Sequence, residues 1–160
     1  MISKNILLLI LYITLFNLFS HIWAQESISV KPQFLPVEAY FCVSNSKCIF
    51  LEVAEKPEEQ ELGLMHRSHM KKSRGMLFPF PLDKQALFWM YKTILPLDIL
   101  FLLDNIIVHI EKNPPKCIEL PCPIYGINTP VDEVIELNAG EVDRLGIKQG
   151  DKLNVEYFAK

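Results

Sequence analysis

The sequence lacks the short motifs that mark the common catalytic classes. It has no Gly-x-Ser-x-Gly nucleophile elbow, no His-Glu-x-x-His pair and no glycine-rich loop that would cradle a phosphate. Because standard hydrolases and kinases depend on such motifs, the sequence predicts neither class. Chemistry by residues that the fold brings together from distant parts of the chain stays open, so no catalytic residue is assigned.

Dense basic clusters are missing as well. No run of lysine and arginine is longer than Lys71-Lys72 followed by Arg74, and the formal net charge is -3 at pH 7. Nucleic-acid-binding domains need a basic patch or stripe to neutralise phosphate charge. We therefore expect no nucleic-acid partner.

The N-terminal two dozen residues differ from the rest of the chain. Residues 1–4 supply a short positive start, residues 6–19 are almost entirely apolar, and Ala24 offers a cleavage point. This order is typical of a secretory signal peptide. The apolar run is shorter than the roughly 20 residues of a membrane-spanning helix, although an uncleaved membrane anchor is the alternative. The sequence predicts a signal peptide over residues 1–24 and an exported protein, periplasmic or extracellular, without membrane contact after cleavage.

All four cysteines follow the apolar run, in two close pairs. An even number of cysteines in an exported chain predicts two disulfides. Three pairings are possible, and the turn-like segment inside each pair favours Cys42 with Cys48 and Cys117 with Cys122. A four-thiolate zinc site is the alternative, but such sites usually have two-residue gaps, and the gaps here are five and four residues.

A second possible metal site lies in the loop that holds His66 and His69. These imidazoles lie beside Met65 and Met70, and such ligands suit copper. Arg67 and two lysines flank them, however, and no acidic or cysteine ligand is near in sequence. We therefore predict no metal and no cofactor.

The length of 160 residues and the apolar fraction of 50% suit a single domain with a hydrophobic core. Residues 25–36 are polar and contain proline, which predicts a linker or an edge segment before one β-rich domain over residues 37–160. Strand-type residues predict a hairpin over 38–43 and 47–53, a strand over 86–90, a central hairpin over 98–103 and 106–111, and strands over 132–137 and 152–158. Short helices are predicted over 56–65 and 138–146.

Two strand predictions depend on particular residues. The prolines in residues 76–81 predict a short edge strand, because proline cannot donate a hydrogen bond inside a sheet. Alternation of acidic and apolar residues in 132–137 predicts that Asp132 and Glu136 lie on a solvent-exposed face. Together these elements indicate a mainly β (α+β) fold, a small barrel-like or sandwich-like domain with one or two peripheral helices.

Residues 88–101 form a run of bulky apolar side chains that is interrupted by polar side chains at only a few positions. Asp98 among aliphatic residues needs a partner if it is buried, and Arg67 is the predicted counterpart. A structural ion pair, or Arg67 stacked on Trp89, is the alternative. The predicted ligand-binding groove combines apolar walls with polar anchors: Met65, Phe78 and Trp89 with Arg67, Thr93 and Asp98.

Several segments of the chain follow one another in a characteristic order: 59–67, 74–78, 88–90, Thr93, 96–98, 136–140 and 150–151. Taken together, they resemble the prokaryotic domain of unknown function numbered one hundred and ninety-two. The resemblance spans about Ile49 to Tyr157 and implies a compact, mostly β domain with short peripheral helices and no established activity. Residues 113–126 resemble the exported branch of that family, which has its own cysteine pair. One departure is Lys92, where the family usually has asparagine.

The leading functional hypothesis is a binding module that holds a small polar ligand or a peptide segment in the predicted ligand-binding groove. One alternative is an enzyme of unrecognised type, in which Asp98 acts as a general acid or base beside Arg67. A second alternative is a structural or assembly factor that uses the proline-rich loop 114–130 as its contact. The sequence does not indicate an oligomeric state.

Overall fold

One β-sheet and two short helices make up the regular structure of residues 30–82 and 85–159, which a computed structural model describes. The predicted signal peptide lies outside these described residues. The strands are β1 Val37–Ser44, β2 Lys47–Val53, β3 Arg74–Pro79, β4 Leu97–Leu103, β5 Ile106–Lys112, β6 Glu133–Asn138 and β7 Glu156–Tyr157; the helices are α1 Pro57–Leu62 and α2 Glu141–Leu145. No described helix is long and apolar enough to cross a membrane.

The strands form a single seven-stranded sheet in the order β5-β4-β6-β3-β2-β1-β7. All neighbours pair antiparallel except β2 and β3, which are parallel and connected by a crossover that contains α1. The sheet is not closed. The C-terminal segment nevertheless reaches both edges, because β7 pairs with β1 and Lys152 forms an isolated bridge with Ile106 of β5. The prediction of a mainly β fold with two short helices is confirmed.

Both faces of the sheet are buried, so the domain has two hydrophobic clusters. Side chains alternate between faces along a strand, and the four consecutive residues 99–102 of β4 are therefore all buried. On one face, here the α2 face, Leu77 and Leu100 pack with Val142 of α2. On the other, the α1 face, Met76 and Ile99 pack with Leu64, which follows α1, and with residues 86–97.

Both predicted hairpins form. In β1–β2, Cys42 and Cys48 are register partners and are joined by a disulfide. Between β4 and β5, Asp104 and Asn105 have positive φ angles of 51° and 64°, as a two-residue hairpin turn requires. The prediction that this second hairpin is central is wrong for β5, which is an edge strand, whereas β4 pairs on its other side with β6.

The prediction of an edge strand over 76–81 is wrong. β3 lies in the middle of the sheet, with β2 on one side and β6 on the other. Its prolines do not interrupt the pairing because Pro79 is the last residue of the strand and Pro81 lies beyond it. Residues 75–78 are all buried, which is the pattern of a strand that is covered on both faces.

The predicted strand over 86–90 is also wrong. Phe88 forms only an isolated two-bond bridge with Tyr125, with N–O distances of 2.8 and 2.7 Å. The amide of Lys92 donates to the carbonyl of Cys117 at 2.9 Å, and Cys117 is joined to Cys122 by the second predicted disulfide. The proline-rich loop therefore fastens segment 86–97 to the α1 face without extending the sheet.

The C-terminal elements follow the predicted order but are shorter than expected. Helix α2 ends at Gly146, which has a left-handed φ of 76°. Of the strand predicted over 152–158, only Glu156–Tyr157 is a strand. Residues 152 and 153 lie instead beside the β4–β5 hairpin, where Lys152 forms a bridge with Ile106 and the amide of Leu153 donates to the carbonyl of Asn105 at 2.8 Å.

Candidate functional site

Four of the six predicted ligand-binding residues converge on one small cavity of about 30 Å³ on the α1 face. They are Met65, Phe78, Trp89 and Thr93. We call this the Glu136 cavity, after the carboxyl group that it also contains. Its lining residues come from α1, the segment after α1, β3, segment 86–97 and β6: Gln60, Glu61, Leu62, Gly63, Leu64, Met65, Phe78, Phe88, Trp89, Thr93 and Glu136.

The apolar walls follow from the packing of the α1 face. The ring of Phe78 meets that of Phe88 edge to face, with centroids 5.1 Å apart. Gly63 ends α1 with φ 45°, and a Cβ built there would lie 3.5 Å from the Phe78 ring. A glycine therefore allows the chain to turn close over this ring.

The outer wall comes from segment 86–97. Trp89 is 37% exposed, and its ring lies 5.4 Å from that of Tyr91. Thr93 is buried, and its hydroxyl donates to the carbonyl of Tyr91 at 3.3 Å. Since a hydroxyl that donates once still has lone pairs to accept with, Thr93 retains acceptor capacity toward the cavity.

Glu136 is the residue that sequence reasoning missed. It was predicted on a solvent-exposed face, and this prediction is wrong, because Glu136 is only 6% exposed and its neighbours across the sheet are Met76 and Ile99. Its Oε2 is buried and has no hydrogen-bond partner among the described residues. A signal was available in the sequence, since adjacent apolar Val134 and Ile135 indicate two covered faces.

Burial raises the pKa of Glu136 from an ordinary 4.5 to about 8, and the positive charge of Arg67 offsets part of that increase. The carboxyl group is therefore mostly protonated at pH 7. Asp132, the other acid predicted to face solvent, is half-buried, and its Oδ2 accepts from the amide of Asp104 at 3.0 Å.

Arg67 lies outside the Glu136 cavity and pairs with Glu52 rather than with Asp98. Its Nη1 and Nη2 donate to the two carboxylate oxygens of Glu52 at 2.8 and 2.5 Å, and Arg67 is 2% exposed. The guanidinium carbon also lies 4.5 Å from the ring centroid of Phe34. Arg67 lines an adjoining cleft of about 280 Å³, which we call the Arg67 cleft: Phe34, Leu35, Val37, Glu52, Arg67, His69, Met70, Lys71 and Arg74.

Asp98 lies on the α2 face, away from the predicted groove. Its Oδ2 accepts from the amides of Gly140 and Val142 at 2.8 and 3.2 Å, and its Oδ1 accepts from the amide of Asn113 at 3.2 Å. The predicted Arg67–Asp98 pair is therefore wrong. The physical reason is that the first turn of α2 presents free amides which a buried carboxylate satisfies.

No group of three or more His, Cys, Asp and Glu side chains that could hold a metal ion occurs in residues 30–82 and 85–159.

The Glu136 cavity offers two kinds of contact to a ligand. Glu136 and Thr93 can form hydrogen bonds, and the rings of Phe78, Phe88 and Trp89 provide apolar surface.

Comparison with known proteins gives one family and two structures. Residues 41–155 match the profile of a family described as "Uncharacterized ACR". No functionally curated protein matches the sequence. Two crystal structures are similar along most of the described fold. A candidate transcription regulator from Sinorhizobium meliloti shares 35% identity over 78% of this chain and 98% of its own, with a TM-score of 0.67. A Novosphingobium aromaticivorans protein of unknown function shares 31% identity over 79% of this chain and 94% of its own, with a TM-score of 0.64.

Proposed function

This chain belongs to the DUF192 family of uncharacterised proteins, and we propose that it is a binding module which holds a small polar molecule or a group of a peptide in the Glu136 cavity. The observation that carries the proposal is that Oε2 of Glu136, in a cavity lined by three aromatic rings, has no hydrogen-bond partner among the described residues. A buried polar atom without a partner is unfavourable. A ligand that supplies the missing hydrogen bond removes that cost.

The shape of the cavity supports the same function. Small-molecule sites are concave, mostly apolar and contain few polar groups that fix orientation. Here the lining includes the polar groups of the buried residues Glu136 and Thr93, together with Trp89, which is 37% exposed. Because the volume is about 30 Å³, only the end of a ligand would enter, and the remainder would contact the surface around Trp89.

A second candidate function is contact with another protein, as in the assembly-factor hypothesis. Three large apolar side chains of the proline-rich loop, Ile118, Leu120 and Ile124, are exposed. Exposed apolar groups that cluster on one surface favour protein contact. The bridge between Phe88 and Tyr125 brings this loop beside Trp89, so a peptide held in the cavity would also meet the loop.

We also propose that the protein is exported, as the predicted signal peptide implies. The two disulfides, Cys42–Cys48 and Cys117–Cys122, are typical of proteins that fold in an oxidising compartment. Fractionation of cells that express the full chain tests this, and retention of the entire pool in the cytosol would contradict it.

Calorimetric titration of the full chain with a panel of small amines, alcohols, amides, carboxylic acids and dipeptides tests the binding function. We expect at least one class to bind, and Trp89→Ala and Thr93→Val each to weaken binding about tenfold, since contacts of this type contribute on the order of 1 kcal/mol. Glu111→Gln is the matched control. Glu111 lies on β5 opposite Ile99 and does not line the cavity. Binding that neither cavity substitution alters, or no binding by any class, would contradict the proposal.

A further inference from the structure

All ionisable side chains of the described residues that line the Glu136 cavity are carboxyl groups. Its lining includes two carboxyl groups, those of Glu61 and Glu136, and no basic side chain among the described residues. The positive charge of Arg67 lowers the pKa of Glu136 from outside this lining. Nη1 and Nη2 of Arg67 donate to both oxygens of Glu52, and its buried Nε has no hydrogen-bond partner among the described residues. Because Glu136 is mostly protonated at pH 7 when the site is empty, a cation gains a carboxylate partner by displacing that proton, whereas the lining offers an anion no basic side chain.

The aromatic rings favour a cation too. Phe78, Phe88 and Trp89 line the same small space, and the faces of such rings attract ammonium groups. Thr93 offers a hydroxyl oxygen that already donates its proton to the carbonyl of Tyr91. This oxygen and Oε2 of Glu136 are two acceptors, and a primary ammonium has three N–H donors.

The volume of the Glu136 cavity limits which cations can enter it. A cavity of about 30 Å³ exceeds the roughly 10–15 Å³ that a single water needs, but it is small for a guanidinium or a quaternary ammonium. We propose that the Glu136 cavity binds a primary ammonium group, as a free alkylamine or as the side chain of a lysine in a peptide, with Oε2 of Glu136 and Oγ1 of Thr93 as acceptors. This assignment rests on the proposed function.

Binding of the cation and ionisation of Glu136 are coupled. The empty site holds a proton on Glu136, and a bound ammonium stabilises the carboxylate, so each binding event releases that proton to solvent. The charged groups that face Glu136 are few. Arg67 and Glu52 form their own pair, Glu61 lies on α1, and the residues opposite Glu136 on β3 and β4 are Met76 and Ile99. Glu136 is thus the group whose titration dominates the affinity near neutral pH.

The test is calorimetric titration of the full chain with n-butylamine, n-butanol, tetramethylammonium and Nα-acetyl-lysine amide between pH 6 and pH 8. We expect n-butylamine to bind at least tenfold more tightly than n-butanol at pH 8, and its affinity to rise by up to about tenfold per pH unit below the pKa of Glu136. Glu136→Gln should remove both the preference for the amine and the pH dependence. Glu111→Gln, the matched control, should preserve both.

The outcomes separate this inference from the function on which it rests. If n-butanol binds as tightly as n-butylamine, or if Glu136→Gln keeps the full preference for the amine, the ammonium assignment is overturned and the binding module stands. If tetramethylammonium binds as tightly as n-butylamine, the assignment of a primary ammonium group is overturned as well. If none of the four probes binds the folded wild-type chain, the ammonium assignment is wrong. The titration with the broader panel of small molecules and dipeptides then tests the proposed binding function separately. A stronger affinity for the lysine amide than for n-butylamine would identify a peptide as the source of the ammonium group.

Discussion

Asp98 and Glu136 are two buried carboxyl groups on neighbouring strands, and their surroundings are opposite. Asp98 is 2% exposed and Glu136 is 6% exposed, and Ile99, the residue after Asp98, is the register partner of Glu136. Asp98 accepts three backbone hydrogen bonds on the α2 face. On the α1 face, Oε2 of Glu136 has no partner within the described residues. Burial alone therefore does not distinguish the two carboxyl groups, whereas the hydrogen-bond partners of their oxygens do.

The difference arises from what covers each face. The first turn of α2 and the amide of Asn113 lie over Asp98 and supply donors to it. Glu136 instead lines a cavity formed with the end of α1 and with segment 86–97, which supplies the rings of Phe88 and Trp89. Asp98 thus stabilises the fold, while Glu136 costs stability when it ionises.

The largest expected effect is that of Asp98→Ala. The substitution leaves the amides of Asn113, Gly140 and Val142 without an acceptor, and hydrogen bonds to a charged group contribute about 1.5–3 kcal/mol each. Because neighbouring contributions do not add fully, we expect the free energy of unfolding to fall by about 4 kcal/mol in urea denaturation. Asp98→Asn, which keeps one acceptor, should lose less. A loss below about 1 kcal/mol for Asp98→Ala would contradict the assignment of Asp98 to the fold.

The next effect concerns a third buried carboxylate, Glu52. Arg67→Met removes its guanidinium partner and leaves Glu52 buried with no compensating charge, although the amide of Leu35 still donates to its Oε2 at 2.7 Å. The loss of a buried ion-pair partner costs about 3 kcal/mol or more. The double variant Glu52→Gln with Arg67→Met should recover most of the loss, since it removes both charges. Equal destabilisation by the single and double variants would show that packing, and not the ion pair, explains the effect.

The effect that is smallest for a single pH unit, and the one specific to Glu136, is a slope of stability with pH. The pKa of Glu136 is about 8 in the folded protein against 4.5 as its ordinary value. Between these values the folded state holds a proton that the unfolded state has lost, so stability falls as pH rises, by up to about 1.4 kcal/mol per pH unit from this group. Glu136→Gln should remove that slope. Parallel curves of unfolding free energy for the two proteins from pH 5 to pH 8 would contradict the elevated pKa.

Local patterns were sufficient to predict part of the fold. Asp104 and Asn105 between two apolar runs gave the β4–β5 hairpin, and the spacing of the cysteines gave both disulfides, which are confirmed. Both features depend on residues close in sequence. The middle position of β3 depends instead on which strands pair with it, and a proline at the end of a strand is compatible with either an edge or an interior position.

The site was only partly predictable for a related reason. Met65, Phe78, Trp89 and Thr93 come together, as the groove hypothesis expected, but their function in binding remains a prediction. The alternation of β4 places Asp98 on the face opposite to Ile99. Nothing in the sequence indicates which of the two faces Arg67 covers, so the choice between Glu52 and Asp98 as its partner required the tertiary structure.

The C-terminal segment has a consequence for solubility. The free edges of the sheet are strands with unpaired amides and carbonyls, which can template aggregation with other chains. Residues 151–157 occupy part of both edges at once, through Asp151 and Lys152 at β5 and through Glu156 and Tyr157 at β1. A chain that ended before this segment would offer two open templates in a single molecule, and two such ends are enough to propagate a filament.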